Sequence, residues 1–140
     1  MQENKCQLQL IDLYFSKFSF SQVRQAAGKE YESSFHITYE MSKEDNSKVK
    51  VSVDTSTSDV NHKVFVELQT VGIFKIEKSG LSKATQEKLI KANTVAIMFP
   101  YIRSQISLIT TQPGITPVMI PPMNINGLID TNTSHASKEN

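Results

Sequence analysis

Apolar and polar residues alternate most regularly between Phe35 and Ser42. Phe35, Ile37, Tyr39 and Met41 fall on one face, and His36, Thr38, Glu40 and Ser42 on the other. Successive side chains of an extended strand point to opposite sides, so this period of two predicts a β-strand with one buried face. The polar stretch Lys43 to Ser47 predicts a turn into an antiparallel neighbour that sets Val49, Val51 and Val53 against Lys48, Lys50 and Ser52. A second polar stretch, Thr55 to Asn61, leads into a long strand with Val64, Val66, Leu68, Thr70, Gly72, Phe74 and Ile76 on one side. A bend is expected at Gly72. The other side of that strand mixes Phe65, Val71 and Ile73 with Glu67, Gln69 and Lys75, which asks for cover by another layer or another subunit. Cys6 to Phe20 also reads as extended, with Leu8 and Leu10 around Gln9 and Phe18 and Phe20 around Ser19, and residues 21 to 30 break the pattern.

After Gly80 the period becomes helical. Ser82 is a candidate N-cap, and Leu81, Ala84, Lys88, Leu89 and Ala92 follow at steps of three and four. Asn93 and Thr94 argue against continuity with the next stripe, Val95, Met98, Phe99, Ile102, Ile106 and Ile109, whose polar side carries Arg103, Ser104, Ser107 and Thr110. Pro100 either opens that amphipathic helix or kinks it one turn in, and Pro113-Gly114 ends it. Ile115 to Met123 is apolar but interrupted by Pro117, Pro121 and Pro122, which predicts an ordered crossover loop. Asn124 is placed to cap a short helix with Ile125, Leu128 and Ile129. Residues 131 to 140 read as a flexible polar tail behind a single domain over residues 1 to 130.

Composition narrows the function. With 39% hydrophobic and 21% charged residues the 140-residue chain is globular. Fifteen basic and fourteen acidic residues leave a formal charge of +1 with only two arginines, Arg24 and Arg103, so there is no basic footprint for nucleic acid. Cys6 is the only cysteine, and no apolar run is long enough to span a membrane, which makes the cytoplasm the expected location and direct membrane insertion unexpected. His36, His62 and His135 lack metal-ligand spacing, and no phosphate-cradling glycine loop or nucleophile elbow is present. Asp54, Asp59 and Glu67 have no spacing that pairs them as acid and base. The expectation is a non-enzymatic protein without cofactor or metal. Ile115, Val118, Met119 and Ile120 either pack over a neighbouring element or border a binding groove. Methionine suits a surface that binds varied clients, because its side chain adapts to their shapes, and exposed strand edges add backbone hydrogen bonds that ignore client sequence.

Three strings, in order, resemble the SecB family of protein-export chaperones. Val71-Gly72-Ile73-Phe74 is similar to its GIF segment, Phe99-Pro100-Tyr101-Ile102-Arg103 to its FPYAR motif, and Pro121-Pro122-Met123-Asn124-Ile125-Asn126-Gly127-Leu128 to its APVNFDAL string. The resemblance spans roughly residues 5 to 130 and implies an α+β fold: a four-stranded antiparallel sheet with helices packed on one face. It further implies dimers pairing into a homotetramer, ATP-independent binding of unfolded or precursor polypeptides, and delivery to the SecA export motor. By the same resemblance, Ile115, Val118, Met119, Ile120 and Met123 border the client groove, with Ile125, Leu128 and Ile129 on a second helix. Val66, Leu68 and Thr70 match the subunit-contact strand, and Glu67 matches a contact with the motor. Lys17 and Ser21 stand where the family usually has carboxylates. Opposite charge steers such partners, so a dedicated chaperone or adaptor for one partner, such as an antitoxin, is the second reading. A small α+β enzyme is the third.

Overall fold

The computed structural model describes residues 7–23, 30–42, 47–77, 82–120 and 133–135. Four antiparallel strands, β1 (Gln7–Gln22), β2 (Tyr31–Met41), β3 (Lys48–Asp59) and β4 (Val64–Glu77), precede one long helix, α1 (Lys83–Ile109), and a short strand, β5 (Thr133–His135). The sheet order is β1-β4-β3-β2-β5, and β5 joins β2 in parallel. The architecture is thus a four-stranded antiparallel sheet with a helix packed on one face, extended by three residues at the β2 edge.

The alternating strands bury the expected face. Phe35, Ile37, Tyr39, Val49, Val51, Val53, Val66, Leu68, Phe74 and Ile76 form one core with Ile90, Val95, Met98, Phe99, Ile102, Ile106 and Ile109 of the helix. β3 continues through the hydroxyl-rich stretch to Asp59, because Thr55, Thr57 and Asp59 keep the alternation and are themselves buried. In β1 the residues that pair with the core face of β4 are Leu8, Leu10, Leu13, Phe15, Phe18 and Phe20, at steps of two and three. Register shifts between Leu10 and Asp12 and between Phe15 and Lys17 absorb the longer steps. Each bulge inserts a residue and brings the apolar set back toward the core side, where Leu8, Leu10, Leu13, Phe15 and Phe20 pack while Phe18 stays exposed.

Gly72 lies within an uninterrupted β4, and its role is proximity. A Cβ there would stand 2.9 Å from Phe74 Cε1 and 3.0 Å from Met98 Sδ, both on fully buried side chains. α1 also runs unbroken through Asn93 and Thr94, where separate helical stretches were expected. The buried Thr94 hydroxyl donates to the Ile90 carbonyl at 2.7 Å, so the helix itself satisfies it. Ser82 caps the N-terminus, its Oγ accepting from Thr85 N at 3.2 Å. Pro100 lies inside the helix on its exposed side, where the carbonyl it leaves without a donor is open to water.

Candidate functional site

The segment after α1 is held against the helix by hydroxyl groups. Ser107 Oγ donates to the Val118 carbonyl at 2.6 Å, and Thr110 Oγ1 accepts from Val118 N at 2.8 Å. Thr110 in turn donates to Ile106 O at 2.8 Å, which ties the clamp into the last helical turn. Further along, Arg103 Nη1 approaches the Ile120 carbonyl at 3.4 Å while its guanidinium lies over the Phe99 ring, 5.9 Å from the centroid. Tyr31 OH donates to Thr116 O at 3.3 Å, and the Phe35 and Phe99 rings meet edge to face at 5.5 Å. The segment from Thr116 to Ile120 therefore runs back along α1 on the side facing β2.

This clamp separates neighbouring apolar residues. Val118 and Ile120 are buried in the core, Ile115 is half-buried, and Met119 is 79% exposed. Of the residues expected to meet a client, Met119 is presented to solvent and Ile115 partly so, whereas Val118 and Ile120 anchor the loop. Met123, Ile125, Leu128 and Ile129 lie outside the described residues. The sequence reading assigned Ser107 and Thr110 only to the polar side of the helix. The signal for their role is two hydroxyls three residues apart, followed by an apolar segment too rich in proline to satisfy its own backbone.

Val66, Leu68 and Thr70 point into the chain's own core at 1%, 2% and 0% exposure. Glu67, on the opposite face, borders an open depression of about 440 Å³ with Lys17, Ser19, Asp54, Ser56 and Gln69. Gln69 Nε2 donates to Asp54 Oδ1 at 2.8 Å, and Ser16 bonds the Gln69 side chain. A cation and two carboxylates share this depression, which therefore lacks a single-signed field. Phe65, on the same face, is 42% exposed and stacks on His62.

Among the described residues no group of three or more His, Cys, Asp or Glu is placed to hold a metal ion, and no helix is long and apolar enough to cross a membrane. The perturbed titratable groups are tyrosines. Burial raises the Tyr39 hydroxyl above the ordinary phenol range, opposed in part by its hydrogen bond with Thr94. Burial, then the charge of Asp59, raises Tyr31. Neither is poised for proton transfer near neutrality.

A sheet with one helix-covered face, followed by a clamped apolar loop, is the arrangement the three strings implied. The family model for the preprotein translocase subunit SecB matches residues 1–136. The chain belongs to the SecB family. Among relatives of this SecB-family chain is an uncharacterized protein of Methanocaldococcus jannaschii, 30% identical over 92 residues, 66% of this chain and 57% of that one. The protein-export protein SecB of Cellvibrio japonicus is 29% identical over 85 residues, 61% of this chain and 50% of its own length. The matched region thus spans about half the length of these curated relatives. A solved SecB-like chaperone of Mycobacterium tuberculosis, in complex with a peptide from an antitoxin, superimposes with a TM-score of 0.70. That match covers 84% of this chain and 90% of the solved one at 13% identity, a likeness of fold. Membership in a family of chaperones accords with a non-enzymatic role.

Proposed function

We propose that this chain is an ATP-independent holding chaperone that binds an extended, unfolded segment of a partner polypeptide, and that it is dedicated to one partner or a narrow set. The observation that carries the reading is the clamped loop, where Val118 and Ile120 anchor the backbone so that Met119 stands in solvent. An exposed methionine on a fixed backbone offers adaptable apolar contact at little ordering cost. Two observations favour a dedicated partner such as an antitoxin: the peptide bound to the M. tuberculosis relative, and the near balance of charge here, +1 overall, which gives little steering toward a basic motor surface. The relative named as an export protein supports the second reading, general holding of precursors with transfer to SecA, in which Glu67 is the candidate contact.

Light scattering from a diluted unfolded polypeptide tests holding. Suppression without nucleotide is expected, with a natively folded client bound weakly or not at all, and no suppression at several-fold molar excess would reject it. Met119→Ser should weaken client binding several-fold with stability unchanged, since fully burying a Met side chain contributes about 1.5–3 kcal/mol and an open contact realises part of that. Ile120→Ser is the contrasting variant and should lower stability. Affinity capture from the source cell separates the two readings: one recurrent small partner supports the dedicated chaperone, and many unrelated precursors support general holding.

A further inference from the structure

Three methionines lie among the described residues, and they differ in access. Met98 is fully buried against Gly72, Met41 is 37% exposed on β2, and Met119 is 79% exposed on the clamped loop. The Met119 sulfur also has a hydroxyl beside it. Ser107 Oγ donates to the Val118 carbonyl at 2.6 Å and stands 3.7 Å from Met119 Sδ, so one hydroxyl proton has two acceptors within reach. We propose that Met119 is a reversible oxidation site for peroxide, and that its sulfoxide takes the Ser107 proton from the Val118 carbonyl and weakens client binding. The effect on clients rests on the holding-chaperone reading, whereas the modification does not.

The chemical step is an oxygen-atom transfer. A lone pair of the sulfur attacks one oxygen of hydrogen peroxide, the S–O bond forms as the O–O bond breaks, and the second oxygen takes the proton of the first and leaves as water. Sulfur gives up two electrons and the peroxide gains them. In the return step two thiols of a sulfoxide reductase become a disulfide, and the sulfoxide oxygen departs as water. A thioether does not ionise, so access decides which methionine reacts first.

Two properties of the product matter at this position. A thioether sulfur is a weak acceptor, whereas the sulfoxide is polar and carries its oxygen on a newly chiral sulfur. Bound to an atom 3.7 Å from Ser107 Oγ, that oxygen can come within the O–H···O range of roughly 2.5–3.0 Å. The hydroxyl has one proton, so the Val118 carbonyl loses its donor as the sulfoxide gains one. Thr110 Oγ1 still accepts from Val118 N, which keeps the loop attached to α1 and confines the change to how its exposed residue is presented. The adaptable apolar contact offered to a client becomes a polar group on a loosened backbone.

The test treats the full 140-residue chain with graded hydrogen peroxide and reads each methionine by mass spectrometry. Met119 should oxidise first and Met41 later, with Met98 protected while the chain stays folded. The binding probe is a fluorescent, reduced and carboxymethylated polypeptide, added after catalase has removed the peroxide. Oxidised wild type should bind it about fivefold more weakly, because a polar group now meets apolar client surface. Methionine sulfoxide reductase with dithiothreitol should restore the affinity. Met119→Leu, apolar but without an oxidisable sulfur, should bind equally before and after peroxide, whatever its starting affinity. Amide exchange over residues 115–120 should rise when the wild type is oxidised. In Ser107→Ala, where the donor is already gone, it should be raised from the start and rise no further. Oxidation of Met41 ahead of Met119, unchanged affinity at full Met119 oxidation, or an equal loss in Met119→Leu overturns the switch, and a further rise in Ser107→Ala overturns the proton transfer. An untreated chain that binds no probe overturns the holding reading instead, while the order of oxidation and the exchange comparison still decide the modification.

Discussion

Asp59, which its place in the sequence pairs with no acid or base, has a structural task. Its carboxylate, 1% exposed, accepts from Lys63 N at 2.6 Å, Val64 N at 2.7 Å and Asn61 N at 3.2 Å, closing the turn from β3 to β4 in which His62 takes a positive φ of 56°. Asp59→Ala should cost about 3 kcal/mol, because it leaves the buried Val64 donor and the part-buried Lys63 and Asn61 donors without their acceptor. A urea midpoint within error of the wild type would show that water replaces the carboxylate. Gly72→Ala drives a methyl group into Phe74 and Met98, and overpacking of this kind should destabilise by about 1–3 kcal/mol. The tyrosines set a pH dependence. In the folded chain Tyr39 and Tyr31 hold their protons above the ordinary value of 10.0, so above that pH the unfolded state has lost protons that the folded state keeps. Their contribution is complete below pH 10.0 and declines as pH rises beyond it. Tyr39→Phe should cost about 1 kcal/mol at neutral pH, through the lost hydrogen bond to Lys91 O, and should flatten the alkaline decline. Parallel alkaline curves for the two proteins would refute this assignment.

At the scale of elements, β2, the start of β3 and β4 were legible because strict alternation leaves one choice of buried face. β1 was legible only in pieces, since its apolar residues recur at two and three and become one face only once bulges are allowed at the two register shifts. The unbroken helix was obscured by Thr94, a weak helix former that is neutralised in place by its bond to Ile90 O. The loop was recognised as apolar and ordered, but its division into anchors and an exposed residue depends on Ser107 and Thr110 reaching Val118 across a turn, a tertiary fact. Thr110→Val tests that clamp. It keeps the side-chain shape while leaving Val118 N–H buried without its acceptor, so stability should fall by about 1–3 kcal/mol. Amide exchange should rise over residues 115–120 ahead of the strands. Unchanged exchange there would mean that Val118 and Ile120 hold the loop by packing alone.

For the whole molecule, the same alternation that places Val66 and Leu68 in the core decides where subunits can meet. Leu68→Asp would bury a charge in the chain's own interior and should unfold it, so it cannot report on assembly by itself. The informative surface lies on β1, an edge strand with no strand beyond it among the described residues and with Ile11, Tyr14 and Phe18 exposed at 49%, 43% and 55%. Its two bulges and Lys17 guard the edge against indiscriminate pairing, yet they leave a long run of backbone and apolar side chains in solvent. The family resemblance implies dimers that pair into tetramers, and a two-fold contact would close this edge without recruiting further chains. The expected outcome is a dimer at micromolar concentration by light scattering, with tetramers forming as concentration rises. Ile11→Asp combined with Tyr14→Asp should shift the chain toward monomer. Both side chains are already half in solvent, so circular dichroism and the urea midpoint should stay close to wild type. Lys75→Asp, an exposed change on β4 one strand in from that edge and opposite Gln9, should leave the association unchanged. A monomer at every concentration in the unaltered chain would remove the assembly, and dissociation by Lys75→Asp as complete as that by the β1 pair would move the contact from the strand edge to the open face of the sheet.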